Sequence, residues 1–139
     1  MRLKCQTHQK MKKNILLILK LIAVVIMLQT LFFKFSAADE SVELFTKLAG
    51  ENEAFLRIGT GVLELTASIL LFLPRSIWLG ALMTVGLMSG AIMGHLTKLG
   101  ISHNNDGGLL FGSAVFIFMV GILVLIKERK NLPIIGNKI

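Results

Sequence analysis

The sequence predicts an all-α polytopic membrane protein, a four-transmembrane-helix antiparallel bundle. Three observations carry this expectation. Hydrophobic residues make up 54% of 139 positions, above the apolar share of ordinary soluble domains. They gather into four blocks, at about 15–35, 55–73, 77–96 and 109–126, each close to the ~20 residues a helix needs to cross a ~30 Å hydrocarbon core. The blocks also lack the strict alternation of membrane-barrel strands. Hydrocarbon offers no hydrogen bonds to the backbone, so each block is expected to satisfy its own as a helix.

The elements follow in order. Residues 1–14 form a basic N-terminal tail ahead of the first span. After that span comes AADESVELFTKLAGENEA, residues 37–54, which is acidic and carries Leu44, Phe45 and Leu48 at helical spacing. This predicts a short surface helix over the mouth of the bundle. The second span ends at Pro74-Arg75-Ser76, a tight breaker that makes spans two and three an antiparallel hairpin. The stretch SHNNDGG, residues 102–108, is a turn in which Asn105 or Asp106, with Gly107 and Gly108 behind it, caps the fourth span. The tail 127–139 is basic again, and Pro133 opposes further helix.

Charge supplies orientation. The formal net charge is +7; Arg2, Lys4, Lys10, Lys12 and Lys13 precede span one, Arg75 sits in the second connection, and Lys127, Arg129, Lys130 and Lys138 follow span four. The other two connections hold chiefly Lys47, with Lys98 at a helix end. By the positive-inside rule both termini are expected to face the cytoplasm, and a multi-pass helical chain of this kind is expected in the cell inner membrane. The cations flank apolar blocks rather than interleaving with aromatics, so nucleic acid is not an expected partner. Cys5 is the single cysteine, which excludes an internal disulfide and a C-x-x-C dithiol; it reads as a free thiol or an acylation site beside the membrane. A cleaved signal peptide ending near Ala38 is the competing reading of the N-terminus. The first apolar run is longer than such a leader needs and is broken by Lys20, which favours a retained span.

Polar residues inside the spans are the candidate site. Counted at 1.5 Å per residue from the cytoplasmic ends, Glu64 lies ~15 Å deep, Gln29 ~22 Å, Arg57 and His95 ~25–27 Å, and Lys34 ~30 Å. Lys20 is shallow enough to extend its ammonium to the headgroups. Arg57, Gly61, Glu64 and Ser68 share one helical face, expected to point inward. An isolated carboxylate in lipid costs several kcal/mol, on the order of the penalty for any unpaired buried charge. Glu64 is therefore either a packing device, bonded to Thr60 or a neighbouring helix, or part of a working site. Gly61 and the four-residue repeat Gly86, Gly90, Gly94 are expected to let helices approach closely. The spacing of His95, His103 and Asp106 matches no standard metal-ligand pattern, so no metal is expected, and no nucleophile constellation or phosphate loop is visible.

Lys34-Phe35, Gly61-Val62-Leu63-Glu64, Ala91-Ile92-Met93-Gly94-His95 and Asp106-Gly107-Gly108 together resemble the DoxX-like family of small bacterial membrane proteins. The resemblance implies a four-helix integral membrane protein, with some relatives tied to quinone-linked sulfur oxidation or to membrane complexes that handle redox stress. The glycine often found before the helix-one lysine is replaced here by Gln29-Thr30-Leu31-Phe32-Phe33. The leading expectation is an accessory subunit of a membrane-associated, redox-linked system, not an enzyme by itself, with Glu64, Arg57, His95, Lys34 and Gln29 lining a polar pocket. Its partners are the bilayer, a membrane or periplasmic protein, or further copies of the chain. A quinone-interacting oxidoreductase subunit and a small proton-coupled transporter are the alternatives; no cofactor is evident beyond that quinone.

Overall fold

The computed structural model describes residues 2–133; Lys138, one of the cations used for orientation, lies outside them. Every element among the described residues is helical: α1 Arg2–Phe35, α2 Asp39–Ala49, α3 Glu53–Leu70, α4 Ile77–Gly94 and α5 Leu109–Lys127. The basic stretch read as a tail is instead the first turns of α1. It contains neither glycine nor proline, and its Lys, Gln and Met are good helix formers. No helix breaker interrupts it, and α1 runs 34 residues, about 51 Å at 1.5 Å per residue.

The chain reverses after α1 through Ala37, which adopts φ +50°. The expected surface helix is α2, with Asp39 and Glu40 in its first turn and Lys47 in its last, the charge order that complements the helix dipole. Its apolar stripe buries Phe45. Gly50, at φ +60°, then ends α2, and a 3₁₀ turn over Gly50–Asn52 leads into α3.

Three helical segments, Cys5–Phe35, Ile77–Leu99 and Leu109–Lys127, are long and apolar enough to cross a membrane. The third includes α5, and the second extends α4 by a π-helical turn, His95–Leu99. The 18-residue α3 is not among them, because Glu53, Arg57 and Glu64 dilute its apolar content. It nevertheless packs between α1 and α4; α4 packs on α5, and α5 returns to α1. The α4–α5 loop and α2 lie at one end, called distal here. The Pro74 turn, Lys20 and Lys127 lie at the other, with Lys127 and Glu128 in electrostatic reach of Lys20.

Small residues fill the middle of the packing: Ala23, Ala67 and Ala81 are almost fully buried beside Met27, Leu71, Ile117, Val120 and Val124. The two closest approaches are made by glycines outside the expected set, while two of the expected four also sit at tight contacts. A Cβ on Gly80 would lie 2.6 Å from the Leu71 backbone nitrogen, and one on Gly121 would lie 2.9 Å from Val85 Cγ2. Gly61 packs on Phe35 and Leu31, and Gly94 on Leu48, but Gly86 and Gly90 face open space with nothing within 4 Å of an added Cβ. The repeat of four carried no information about which side of α4 meets a neighbour. Lys20 also departs from expectation: its ammonium donates to the Leu71 carbonyl at 3.1 Å and lies 5.2 Å from the Phe72 ring centroid. A lysine thereby supplies the donor that the C-terminus of α3 lacks.

Candidate functional site

The inward face of α3 carries Arg57, Gly61, Glu64 and Ser68, all buried, as their spacing requires. Ser68 donates to the Glu64 carbonyl at 2.8 Å, so its hydroxyl is satisfied within its own helix. Glu64 is only 6% exposed. Its Oε1 accepts from the Lys34 ammonium at 2.5 Å, and its Oε2 lies 3.4 Å from the Thr30 hydroxyl. Thr60, the neighbour considered from sequence, bonds back to Leu56 and Arg57 instead. Lys34 has Phe45 of α2 on its other side, 5.9 Å from ammonium to ring centroid, within the range of a cation–π contact.

Arg57 extends the network about two turns nearer the distal end. Its guanidinium donates from Nε to Glu53 Oε1 at 2.5 Å and from Nη1 to the Lys34 carbonyl. That carbonyl belongs to the last turn of α1, which has no intrahelical partner for it. Two acids and two cations thus alternate along the α1–α3 contact: Glu53, Arg57, Glu64 and Lys34. Paired in this way they neutralise one another, which is the condition for charged groups to persist inside an apolar bundle.

The pairing follows from the direction in which helical side chains lean. Each Cα–Cβ bond tilts toward its helix N-terminus. In antiparallel helices, Lys34 near the end of α1 leans back into the bundle, while Glu64 in the middle of α3 leans toward the distal end. Depth counting along the axes placed the two residues ~15 Å apart; their side chains close that gap from both sides. Thr30, four residues before Lys34 on the same face of α1, was not anticipated, nor was Glu53. The i,i+4 spacing of Glu53 and Arg57 is the signal that identifies the latter.

The remaining candidates lie elsewhere. Gln29 is exposed on the outside of α1, away from Glu64. His95 is buried, with Nδ1 2.9 Å from the Gly100 carbonyl and its ring 5.8 Å from Phe111. A carbonyl only accepts, so Nδ1 carries a hydrogen and ties down the π-helical turn. Asp106 caps α5: its carboxylate accepts from the backbone of Leu110 at 3.0 Å, Gly108 at 2.8 Å and His103 at 3.0 Å. These bonds, led by that of Leu110, hold the Asp106 carboxyl below its ordinary value despite partial desolvation. Gly107 and Gly108 supply the positive φ angles, +65° and +83°, that bring the chain around the carboxylate.

The same loop presents a residue given little weight in the sequence. His103 is 4% exposed, and its Nε2 is buried without a hydrogen-bond partner among the described residues. Neighbouring Asn104 reaches Glu43 of α2 at 3.4 Å, and Lys98 donates to the Leu48 carbonyl at 2.9 Å. Both contacts fasten α2 over the distal end. Lys47 and Asn104 lower the Glu43 carboxyl from its ordinary range by hydrogen bonding. Among the described residues, no cluster of three or more His, Cys, Asp or Glu could hold a metal ion. Two open surface concavities, of about 280 and 410 Å³, lie by Ala54, Phe55, Ile58 and Gly59 and by Leu3, Thr7, His8 and Met11, away from Glu64.

Among known protein families, the family model DoxX aligns with residues 15–97, more than half the chain. The aligned region runs from the start of the apolar part of α1 into the π-helical turn and so contains the whole Lys34–Glu64–Arg57 network; α5 and its cap lie beyond it. No curated protein and no solved structure matches.

Proposed function

The chain belongs to the DoxX family and is a multi-pass membrane protein; from that premise we propose that it is a non-catalytic accessory subunit of a membrane complex. In this reading α3 is a fourth crossing, both termini face the cytoplasm of the inner membrane, and α2 rides on the outer surface. The supporting observation is that Glu64, the ionisable group nearest the middle of α3, is committed to Lys34 of α1. A general acid or proton carrier needs a group free to exchange with a substrate; a scaffold needs groups that lock its helices together. The charges serve here to carry a polar helix within an apolar bundle and to fix the floor on which α2 rests. The redox link is an inference from the family likeness, and the partner it implies would meet α2 and the distal loops.

Purification of the full chain in mild detergent from its native membrane tests this. A stable protein partner is expected, retained by the wild type and weakened in Glu64→Gln at equal expression. Recovery of the wild type with no protein partner overturns the proposal.

A quinone-interacting role is the second reading, and His103 favours it. A buried imidazole nitrogen with no partner among the described residues is suited to a quinone carbonyl. Lipid extracts of the purified protein should then contain quinone, and His103→Ala should lose it. Wild-type extracts free of quinone remove this reading.

A further inference from the structure

We infer that the outward face of α1 is a dimerisation seam, on which Gln29 pairs with Gln29 of a second copy. The inference rests on α1 spanning the membrane and is independent of the function proposed above. It begins with an accounting of polar side chains in the apolar segments. Exposed hydroxyls there satisfy themselves: Thr66 bonds to the Val62 carbonyl, Ser89 to Val85 and Thr97 to Met93, each at 2.7–2.8 Å. The buried polar groups of α3 and α4 are likewise bonded within the chain. Gln29 is exposed on α1 and, among the described residues, forms no such bond. Its amide carries two donors and an acceptor on a face that otherwise meets hydrocarbon, where unmet hydrogen bonds are costly.

The residues around it are ordered. Ile18, Ile22, Val25, Gln29 and Phe32 are all exposed on α1 and are spaced four, three, four and three. That is the period of a two-helix seam, in which a single polar residue fixes register. Symmetry selects the occupant. Two copies of one membrane protein enter the bilayer in the same orientation, so their α1 helices meet in parallel about an axis along the membrane normal. On such an axis each seam residue faces its own equivalent. A primary amide is self-complementary, so two Gln29 side chains can donate to and accept from each other. Interhelical bonds of this kind are a recognised adhesive between membrane helices.

The test is disulfide scanning of the full chain in liposomes, in a Cys5→Ser background. Val25→Cys, Gln29→Cys and Phe32→Cys should cross-link to dimers, whereas Ile69→Cys on α3 and Leu123→Cys on α5, equally exposed, should not. In a parallel energy-transfer titration of two labelled populations, Gln29→Leu should raise the dimer dissociation constant about three- to thirtyfold, the range for one interhelical polar contact. Gln29→Asn should recover most of the loss. Equal cross-linking at all five positions, cross-linking confined to α3 or α5, or a wild type that stays monomeric overturns the inference. A wild-type dimer that Gln29→Leu leaves unchanged also overturns the pairing of the amides.

Discussion

At the scale of single residues, the decisive pair is Lys34 and Glu64. Removing one member leaves the other charge buried and uncompensated, which costs about 3–5 kcal/mol in comparable pairs. Glu64→Leu and Lys34→Met should each lower thermal stability in detergent by that amount, while the double variant should regain most of it. Two losses that simply add would show that the residues do not act as a pair. Asp106 yields a pH prediction. Its carboxyl is depressed in the folded chain, so its contribution is fully present above the ordinary value of 3.8 and disappears as pH falls through the lowered one. Asp106→Ala should cost about 1–2 kcal/mol, as loss of a helix cap does, and should flatten this acid limb of the stability–pH curve. These residues were legible to different degrees. The inward face of α3 and the Asp106 cap follow from spacing and turn chemistry. The Lys34–Glu64 contact does not, because axial depth ignores the opposite lean of side chains on antiparallel helices.

At the scale of elements, the connections determine what each helix can do. Pro74 and the neighbouring turn were readable as a hairpin, and Leu44, Phe45 and Leu48 as the stripe of a surface helix. The role of each glycine was not readable, because periodicity places residues on a face without saying what that face meets. Gly80→Ala would drive a methyl into the backbone of Leu70 and Leu71, neither of which can move aside as a side chain would. It should destabilise the α3–α4 hairpin by about 1–3 kcal/mol, the usual cost of overpacking. Gly86→Ala meets nothing and should raise the stability of the monomeric fold by about 0.4–1 kcal/mol, as Gly→Ala does at an unstrained helical position. Comparing the two melts checks both statements. A loss at Gly86 would place another helix against that face.

At the scale of the whole molecule, three helices announce themselves as membrane spans by composition, and α3 does not. Its charges look prohibitive when counted along the sequence and cease to be so once Lys34 and Thr30 of α1 meet Glu64, and Glu53 meets Arg57. Hydropathy alone therefore leaves the number of crossings open, and the four proposed above rest on this tertiary pairing. Crossing number also fixes which connections share a side. Four crossings put the Pro74–Ser76 turn with the termini, and α2 with the α4–α5 loop on the opposite side. Labelling with a membrane-impermeant maleimide, on intact cells carrying one cysteine at a time in a Cys5→Ser background, reads this directly. Glu40→Cys and Asn104→Cys should react from outside, whereas Arg75→Cys and the native Cys5 of the unaltered chain should react only after the membrane is opened. If Glu40→Cys and Arg75→Cys react from the same side, α3 does not cross, and the paired charges do not carry it through the bilayer.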